Sequence, residues 1–338
     1  MKKISSTVAI LFIIVQLTAQ ITESHDFEQP NDYPLIGDWT GKWINPKRGH
    51  EAHHPGITAQ VNLINGKRYM VHILPELYNR AAHYFDVNVD EVNQQLSFDN
   101  NGWSFVFSGD SCTGYGMLHG DTTYFKMAKS DLVPPTLNLS APANAIKLLA
   151  DDSLTAWNHG DGRKVTWKME NGVLETVSAF WNAGQNRANG LGGDIETKQK
   201  FGDLKFHMEF RYAIEPGKAG QGRGNSGLFF HGVGEVQILN SYALQGYWNE
   251  AGSIYKRHPA KVNAAGPPLL WQTYDVELKM PRFNADGEKL SEAILTVRLN
   301  GKIIHNQLEM ESDAAKVSIG LQDHINCLQY RNIWVLEN

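Results

Sequence analysis

Side chains that alternate between apolar and polar along short segments constrain the fold of this chain most strongly. In residues 204–212, apolar side chains occupy every second position, and residues 274–278 and 317–322 repeat the pattern. Successive residues of a strand point to opposite faces of the sheet, so this period of two is typical of strands with one buried face. Long helical periodicity is absent after the N-terminal segment. The sequence therefore predicts an all-β fold.

Turn signals divide the chain into two β-rich parts. Asn65-Gly66 and Asn300-Gly301 each separate two strand-like segments, and Asn-Gly favours the two-residue turn of a hairpin. Residues 33–129 are predicted to form a small all-β accessory domain, and the proline-rich residues 130–145 a linker. Many short strands in residues 146–338 indicate a β-sandwich or jelly roll, which forms the second domain of the chain.

The N-terminal residues 1–19 resemble a secretory signal peptide. Lys2 and Lys3 precede a short apolar run at residues 8–17, which is too short for a comfortable membrane span. We therefore expect a periplasmic or secreted protein with no membrane insertion after signal cleavage.

Charge and cysteine content exclude several classes of partner and site. The formal net charge is −5, whereas nucleic acids and anionic membrane surfaces require basic patches. Cys112 and Cys327 are far apart, and no zinc-type spacing is present. A disulfide between them would link the two domains, and two unpaired buried thiols are the simpler interpretation.

A glycine-rich loop followed by a polar strand is the main candidate for a functional motif. Residues 220–227 (GQGRGNSG) lead towards a strand on which Glu235 and Gln237 point the same way. The loop lacks the Gly-Lys-Ser/Thr ending of a phosphate-binding loop. A carboxylate and an amide side by side indicate a polar ligand such as a sugar, although a solvated strand face has the same pattern.

Several other strands carry rich polar faces. If these strands are neighbours in one sheet, they form a polar concave surface suited to a glycoside or oligosaccharide. The residue groups are His207/Glu209/Arg211, Glu235/Gln237, Asp275/Glu277 and Gln322/His324.

Residues 141–338 resemble the 3-keto-disaccharide hydrolase family, which has a concanavalin-like or laminin-G-like jelly roll. The segments that carry the resemblance, in order, are 193–198 (GDIETK), 201–203 (FGD), 207–211 (HMEFR), 223–227 (RGNSG), 235–242 (EVQILNSY), 253–255 (SIY), 271–275 (WQTYD), 321–324 (LQDH) and 331–334 (RNIW). The chain departs from the family at Asn240, where an aspartate is usual, and at Ala150-Asp151-Asp152, where Phe-Asp-Gly is usual.

The resemblance implies cleavage of a 3-keto-glycoside by proton abstraction at C2 and elimination at C1. The candidate catalytic residues are Glu235 and His324 as acid or base, with Arg211 polarising the ketone. The candidate substrate-binding residues are Gln237, Asn225, Arg223, Glu209, Asn240, Gln322, Arg331 and Tyr255. A structural role between strands explains His324 nearly as well. For Arg331, and for Arg211 beside Glu209, an ion pair at the edge of the sandwich is the stronger interpretation.

Two other functions fit the same residues. A conventional glycosidase needs two carboxyl groups, and the strand of Glu235 supplies one, so Glu209 or Asp275 would have to be the second. A non-catalytic carbohydrate-binding protein would use exposed aromatic side chains, for which Trp181, Tyr247 and Trp248 are candidates.

The sequence does not establish whether the chain binds a metal ion. Loop residues Asp151, Asp152 and Asp194 are compatible with a divalent cation near the cleft, without establishing one. The histidines of the His50/His53/His54 group match no ligand motif, and an exposed polar loop is the simpler interpretation.

Overall fold

The computed structural model describes Phe27 and residues 32–78, 84–130, 132–177 and 191–337. The predicted signal peptide and Trp181 lie outside these residues. Within the part described, no helix is long and apolar enough to cross a membrane. Cys112 and Cys327 are both buried and unbridged, as the simpler interpretation held.

The N-terminal part is a closed barrel of eight antiparallel strands. The strands are β1 (Gly37–Ile44), β2 (Gly56–Asn65), β3 (Arg68–Leu74), β4 (Phe85–Val92), β5 (Gln95–Asn100), β6 (Trp103–Ser108), β7 (Ser111–Leu118) and β8 (Asp121–Ser130). Each strand pairs with the next, and β1 closes the barrel on β8. The Asn65-Gly66 turn joins β2 to β3, which confirms the predicted hairpin.

Aromatic side chains fill the barrel. Trp39 and Phe107 meet edge to face with ring centroids 4.9 Å apart, an arrangement that the ring quadrupoles favour. Gly41 permits the close approach of β1 and β8, because a Cβ atom there would lie 1.9 Å from the carbonyl oxygen of Lys126. The barrel thus has its own packed core.

The remaining strands form a two-sheet sandwich, with a separate short hairpin. They are β9 (Ile146–Lys147), β10 (Trp157–His159), β11 (Lys168–Glu170), β12 (Val173–Glu175), β13 (Ile195–Thr197), β14 (Leu204–Tyr212), β15 (Ser226–Phe230), β16 (Gly234–Ile238), β17 (Gln272–Lys279), β18 (Arg282–Phe283), β19 (Lys289–Ser291), β20 (Ala293–Leu299), β21 (Lys302–Met310), β22 (Ile319–Leu321) and β23 (Leu328–Glu337). Three-residue 3₁₀ turns occur at His50–Ala52, Ala150–Asp152 and Gly220–Gly222.

One sheet has the order β10-β13-β22-β15-β16, and we call it the five-stranded sheet. The other, the large sheet, has the order β11-β12-β23-β14-β17-β20-β21, with β9 also paired to β23. The inward side chains of both sheets form one hydrophobic core. The predicted all-β fold, a sandwich preceded by a smaller β-rich part, is confirmed.

The segment between barrel and sandwich covers the outer face of the large sheet. Glu209, which is fully buried on β14, accepts hydrogen bonds from the backbone N–H of Asn138 at 2.6 Å and from Arg331 Nε at 2.7 Å. Asn332 Nδ2 also donates to Glu209 Oε1, at 2.8 Å. This carboxylate therefore fastens the connecting segment onto the sheet.

A second polar contact lies beside the first. Buried His207 forms a 2.7 Å hydrogen bond between its Nδ1 and Asp275 Oδ1, and Thr136 donates to the other oxygen of Asp275 at 2.6 Å. The polar side chains on the outer faces of β14 and β17 thus form hydrogen bonds within the protein. The condition for one shared polar surface is not met, because β16 belongs to the five-stranded sheet while β14 and β17 belong to the large sheet.

Replacement of Glu209 tests the role of this carboxylate in stability. We expect Glu209→Ala to lower the free energy of unfolding by roughly 3–5 kcal/mol, since Arg331, Asn332 and the backbone N–H of Asn138 all lose their acceptor. Glu277→Ala is the control on the same sheet, because Glu277 is exposed and pairs only with Arg298 at the surface. Urea unfolding measures both, and an equally small loss in the two variants would contradict this role.

The pH dependence of unfolding gives an independent check. The hydrogen bonds from His207, Asn332 and Arg331 outweigh burial and lower the pKa of Glu209 from 4.5 to about 2. Because the pKa of Glu209 is lower in the folded state than its ordinary value of 4.5, the ionised carboxylate stabilises the fold above pH 4.5. This stabilisation is lost as the pH falls towards about 2. The stability difference between wild type and Glu209→Gln should therefore shrink between these two pH values. A constant difference would show that Glu209 does not titrate as an anchored carboxylate.

Candidate functional site

The strand that carries Glu235 lies at the edge of the five-stranded sheet. Val236 and Ile238 are buried in the core, so Glu235 and Gln237 point to the outer face, as alternation predicts. Gly227 on the neighbouring strand lies beneath the carboxyl group, and a Cβ atom there would be 2.4 Å from Glu235 Oε1. The glycine therefore makes room for the acid.

The surroundings of Glu235 suit it to proton transfer. Burial, followed by the negative charge of Asp194, raises the pKa of Glu235 from 4.5 to about 7, against the opposing effect of Lys256. A carboxyl group with this pKa is present in both protonation states at neutral pH. It can act as a general base or a general acid.

Asp194 supplies a second carboxyl group to this face. It immediately precedes β13, and Oδ1 accepts a hydrogen bond from the backbone N–H of Asp323 at 2.8 Å. Partial burial raises the pKa of Asp194, although the side chain keeps an exposed surface. Sequence reasoning placed Asp194 only among loop acids for a cation.

Three amide side chains form a network beside Glu235. The Gln237 amide nitrogen lies 3.0 Å from Gln221 Oε1, and Asn225 Nδ2 donates to the Gln221 carbonyl at 2.7 Å. With its amide turned over, Gln237 instead donates to Glu235 Oε1 at 3.1 Å. The predicted residues Gln237 and Asn225 are thus adjacent to Glu235, together with Gln221 from the glycine loop.

Hydrogen bonds to buried side chains hold this amide network in place. The backbone N–H of Asn225 donates to Asn326 Oδ1 at 2.9 Å, and Asn326 Nδ2 donates to both oxygens of Glu215 at 2.7 and 2.8 Å. Asn225 and Asn326 are almost fully buried. These bonds fix the glycine loop against the sheet.

His324 and Gln322 follow β22 on the same side of the sandwich. Burial lowers the pKa of His324 below 6.5, against the charge of Asp194 and a hydrogen bond with Asn326. The neutral form of the His324 imidazole is therefore favoured. The backbone N–H of Gln322 donates to the Gly227 carbonyl at 3.0 Å, next to the position of Glu235.

The segment after Gly252 forms one border of this face. The backbone N–H of Tyr255 donates to the Glu235 carbonyl at 3.0 Å, and Lys256 Nζ lies 5.0 Å from the centre of the Tyr255 ring. On the neighbouring strand, the rings of Phe229 and His231 stack at 5.5 Å. Charged and aromatic groups thus surround the two carboxyls.

Three predicted site residues lie on the opposite sheet. Arg211 donates to Gln329 Oε1 at 2.8 Å, and its guanidinium and that of Arg331 lie 4.8 and 4.1 Å from the Trp271 ring. Glu209 anchors the connecting segment. Placing Arg211, Arg331 and Glu209 beside Glu235 was wrong, because alternation shows which way a side chain points but not to which sheet its strand belongs.

Arg223 and Asn240 lie near the glycine loop in internal contacts. Arg223 forms an ion pair with Glu250 at 2.9 Å, and Asn240 Oδ1 accepts the backbone N–H of Tyr242 at 3.4 Å. Asn240 is buried and lies beyond the end of β16. These contacts hold the loop in place.

The described residues contain no group of three or more acids, histidines or cysteines able to hold a metal ion. Asp152 accepts the backbone N–H of Gly172 in a turn at 2.6 Å. The rings of His50 and His54 stack at 4.6 Å on an exposed barrel loop. Of the loop acids considered for a cation, Asp194 lies beside Glu235.

Sequence reasoning missed Gln221 and Lys256 and gave Asp194 no role in proton transfer. Asp194 lies in the segment 193–198 and Gln221 in the glycine loop, two of the features singled out in the sequence. Because Asp194 and Gln221 lie in those segments, the segments were the sequence signal that could have identified them as site residues. Lys256 follows Tyr255, and no sequence motif identifies it as a site residue.

Several solved structures are similar to this chain. A crystal structure of a candidate glycosyl hydrolase from Parabacteroides distasonis ATCC 8503 shares 31% identity, with 59% of this chain and 86% of that chain covered and a TM-score of 0.51. A second candidate glycosyl hydrolase from that organism has 16% identity, coverage of 56% and 92%, and a TM-score of 0.40. A β-glucanase from Bacillus licheniformis has 12% identity, coverage of 59% and 100%, and a TM-score of 0.31. None of the curated proteins matches.

A family model described as a 3-keto-alpha-glucoside-1,2-lyase-like domain matches residues 144–336. The match spans more than half of the chain and contains both sheets of the sandwich, with Glu235, Asp194 and His324. The chain therefore belongs to the family of 3-keto-alpha-glucoside-1,2-lyase-like domains, the 3-keto-disaccharide hydrolase family.

Proposed function

We propose that this carbohydrate-active enzyme cleaves 3-keto-glycosides by elimination. The observation that carries the proposal is Glu235, a half-buried carboxyl group whose pKa is raised to about 7 on a sheet face lined with amides. A ketone at C3 acidifies the hydrogen at C2, so a single base of this strength suffices to start the reaction. The basic and apolar N-terminal run supports the further proposal that the protein is exported.

The elimination requires two proton transfers, and the addition of water follows. Glu235 takes the C2 proton, and the electron pair of that bond forms an enolate on the C3 oxygen. The enolate collapses, the bond from C1 to the glycosidic oxygen breaks, and a double bond forms between C1 and C2. Protonated Glu235 gives its proton to the leaving oxygen and is ionised again. Water then adds hydroxide to C1 and a proton to C2, which gives net hydrolysis.

Other residues of this face have complementary roles. Burial lowers the pKa of His324, so its neutral imidazole can accept a proton from the water that later adds to C1. Lys256 is the cation that acts on the Glu235 carboxyl and can stabilise the enolate oxygen. The amides of Gln237, Asn225 and Gln221 orient hydroxyl groups of the sugar.

A second function is favoured by one observation. Asp194 lies near enough to raise the pKa of Glu235, so the face carries two carboxyl groups with different environments. Such a pair can also serve an ordinary glycosidase acting on an unoxidised sugar. The two functions differ in whether the ketone is required.

A substrate comparison with a Glu235 variant separates these functions. We expect release of aglycone from a 3-keto-glucoside but not from its unoxidised parent, and a loss of roughly 10²–10⁴-fold in kcat for Glu235→Gln. Glu309→Gln, at an exposed glutamate on a strand of the large sheet, should retain full activity. Cleavage of the parent would favour the glycosidase, and full activity of Glu235→Gln would remove Glu235 from the mechanism.

The pH profile tests the influence of Asp194. Because the base must be ionised, kcat/KM should rise with pH with a midpoint near 7. Asp194→Asn removes a negative charge that raises the pKa of Glu235, so its midpoint should move to lower pH. Asp286→Asn, on an exposed hairpin turn, should leave the midpoint in place. An unchanged or higher midpoint in Asp194→Asn would contradict the assigned electrostatics.

A further inference from the structure

The barrel contacts the sandwich at the segment that leads into the glycine loop. Ile214, two residues beyond the end of β14, packs against the hydrophobic core of the barrel. Residues 215–218 (EPGK) then form a tight turn, closed by a backbone hydrogen bond of 3.3 Å between its ends. Proline followed by a left-handed glycine is typical of a type II turn, and Gly217 has φ 82°. The backbone N–H of Gly217 donates to the carbonyl of Ile64 on β2 at 2.6 Å, so the turn is fixed on the barrel.

Glu215 lies between these two barrel contacts, and its carboxylate holds the glycine loop. Oε2 accepts the backbone N–H of Gly224 at 2.8 Å, and the two oxygens accept from Asn326 Nδ2 at 2.8 and 2.7 Å. Asn326 Nδ2 also donates to the Gly222 carbonyl at 2.9 Å, while its Oδ1 accepts the backbone N–H of Asn225 at 2.9 Å. One carboxylate and one buried amide therefore fix three positions of the loop.

The glycines give this loop little stiffness of its own. Gly220 and Gly224 have φ 55° and 50°, and glycine loses more backbone freedom on ordering than any other residue. The same loop carries Gln221 and Asn225, the amides beside Glu235. The positions of these two amides therefore depend on hydrogen bonds from outside the loop.

A second series of contacts runs from the barrel to the loop. The fully buried Tyr242 donates its hydroxyl hydrogen to Oδ1 of Asp38 on β1 at 3.0 Å. Two residues before this tyrosine, the backbone N–H of Asn240 donates to the carbonyl of Arg223 at 3.1 Å. The barrel thus supports the loop through two separate segments of the sandwich.

We infer that the barrel is a positioning element of the active site, because it holds Glu215 where this carboxylate fixes the amides of the glycine loop beside Glu235. The inference rests on the proposed function, in which those amides orient the hydroxyl groups of the sugar. A displacement of such groups by about 1 Å can lower the rate on the order of 10²-fold. Glu215 is a positioning residue, and the barrel is required for turnover without binding a ligand of its own.

Truncation of the barrel contact tests this inference in the full-length protein. Ile214→Ala removes packing on the barrel but keeps the carboxylate of Glu215. We expect the backbone amides of Gly224 and Asn225 to exchange with deuterium roughly tenfold faster, and kcat/KM for a 3-keto-glucoside to fall roughly tenfold. Val87→Ala is the matched control and should change neither, because Val87 is also a partly buried aliphatic residue on the barrel core but lies on β4, between β3 and β5.

A double-mutant cycle shows whether Ile214 acts through Glu215. Glu215→Ala removes the acceptor itself and should have the larger effect on exchange and on kcat/KM. Adding Ile214→Ala to it should change little further, since residues that act through one another are not additive. Glu215→Gln keeps one oxygen for the Gly224 N–H and should restore part of both. Urea unfolding of each variant shows that folded proteins are compared.

Four results would overturn the inference. They are unchanged exchange at these two amides in Ile214→Ala, faster exchange with full kcat/KM, equal effects in Val87→Ala, and additive losses from Ile214→Ala and Glu215→Ala. The exchange measurement needs no turnover. If the wild type does not cleave the 3-keto-glucoside, the proposed function fails, and the exchange rates still decide whether the barrel positions the loop.

Discussion

The buried carboxylate of Glu209 is the constraint on which the arrangement of this protein depends. A fully buried acid is costly unless it is paired and hydrogen-bonded, and Arg331, Asn332 and the backbone of Asn138 meet that need. Because one of these donors belongs to the connecting segment, satisfying the acid brings that segment onto the large sheet. The large sheet is thereby covered, and the five-stranded sheet keeps its polar outer face available.

The different surroundings of Glu209 and Glu235 explain why the pKa values of the two carboxyl groups differ. Glu209 is as buried as a core residue, yet its donors lower its pKa to about 2, so it is an anion at neutral pH and has a structural role. Glu235 is less buried but has Asp194 nearby, and its pKa rises to about 7. Burial alone does not determine whether a carboxyl group is ionised, because neighbouring donors and charges also stabilise or destabilise its charged form. The proton-transfer group is therefore the less buried of the two.

The strands and hairpins were predictable because they depend on local rules. Period-two alternation and the Asn-Gly turns at residues 65–66 and 300–301 identified strands and their hairpin partners. The assignment of strands to sheets was not predictable, since Glu209 and Glu235 sit on equally alternating segments. Asp194 escaped notice as an acid–base partner for the same reason: its loop meets Glu235 only through the packing of β13, β22 and β15.

The most direct test of the account is the isotopic composition of the product formed in heavy water. If Glu235 removes the C2 proton before C1–O cleavage, the sugar released from a 3-keto-glucoside should carry deuterium at C2 from the first turnovers, beyond the exchange seen without enzyme. Proton NMR or mass spectrometry measures this directly. Release of a sugar that keeps its original C2 hydrogen would show direct displacement at C1 and would contradict the elimination.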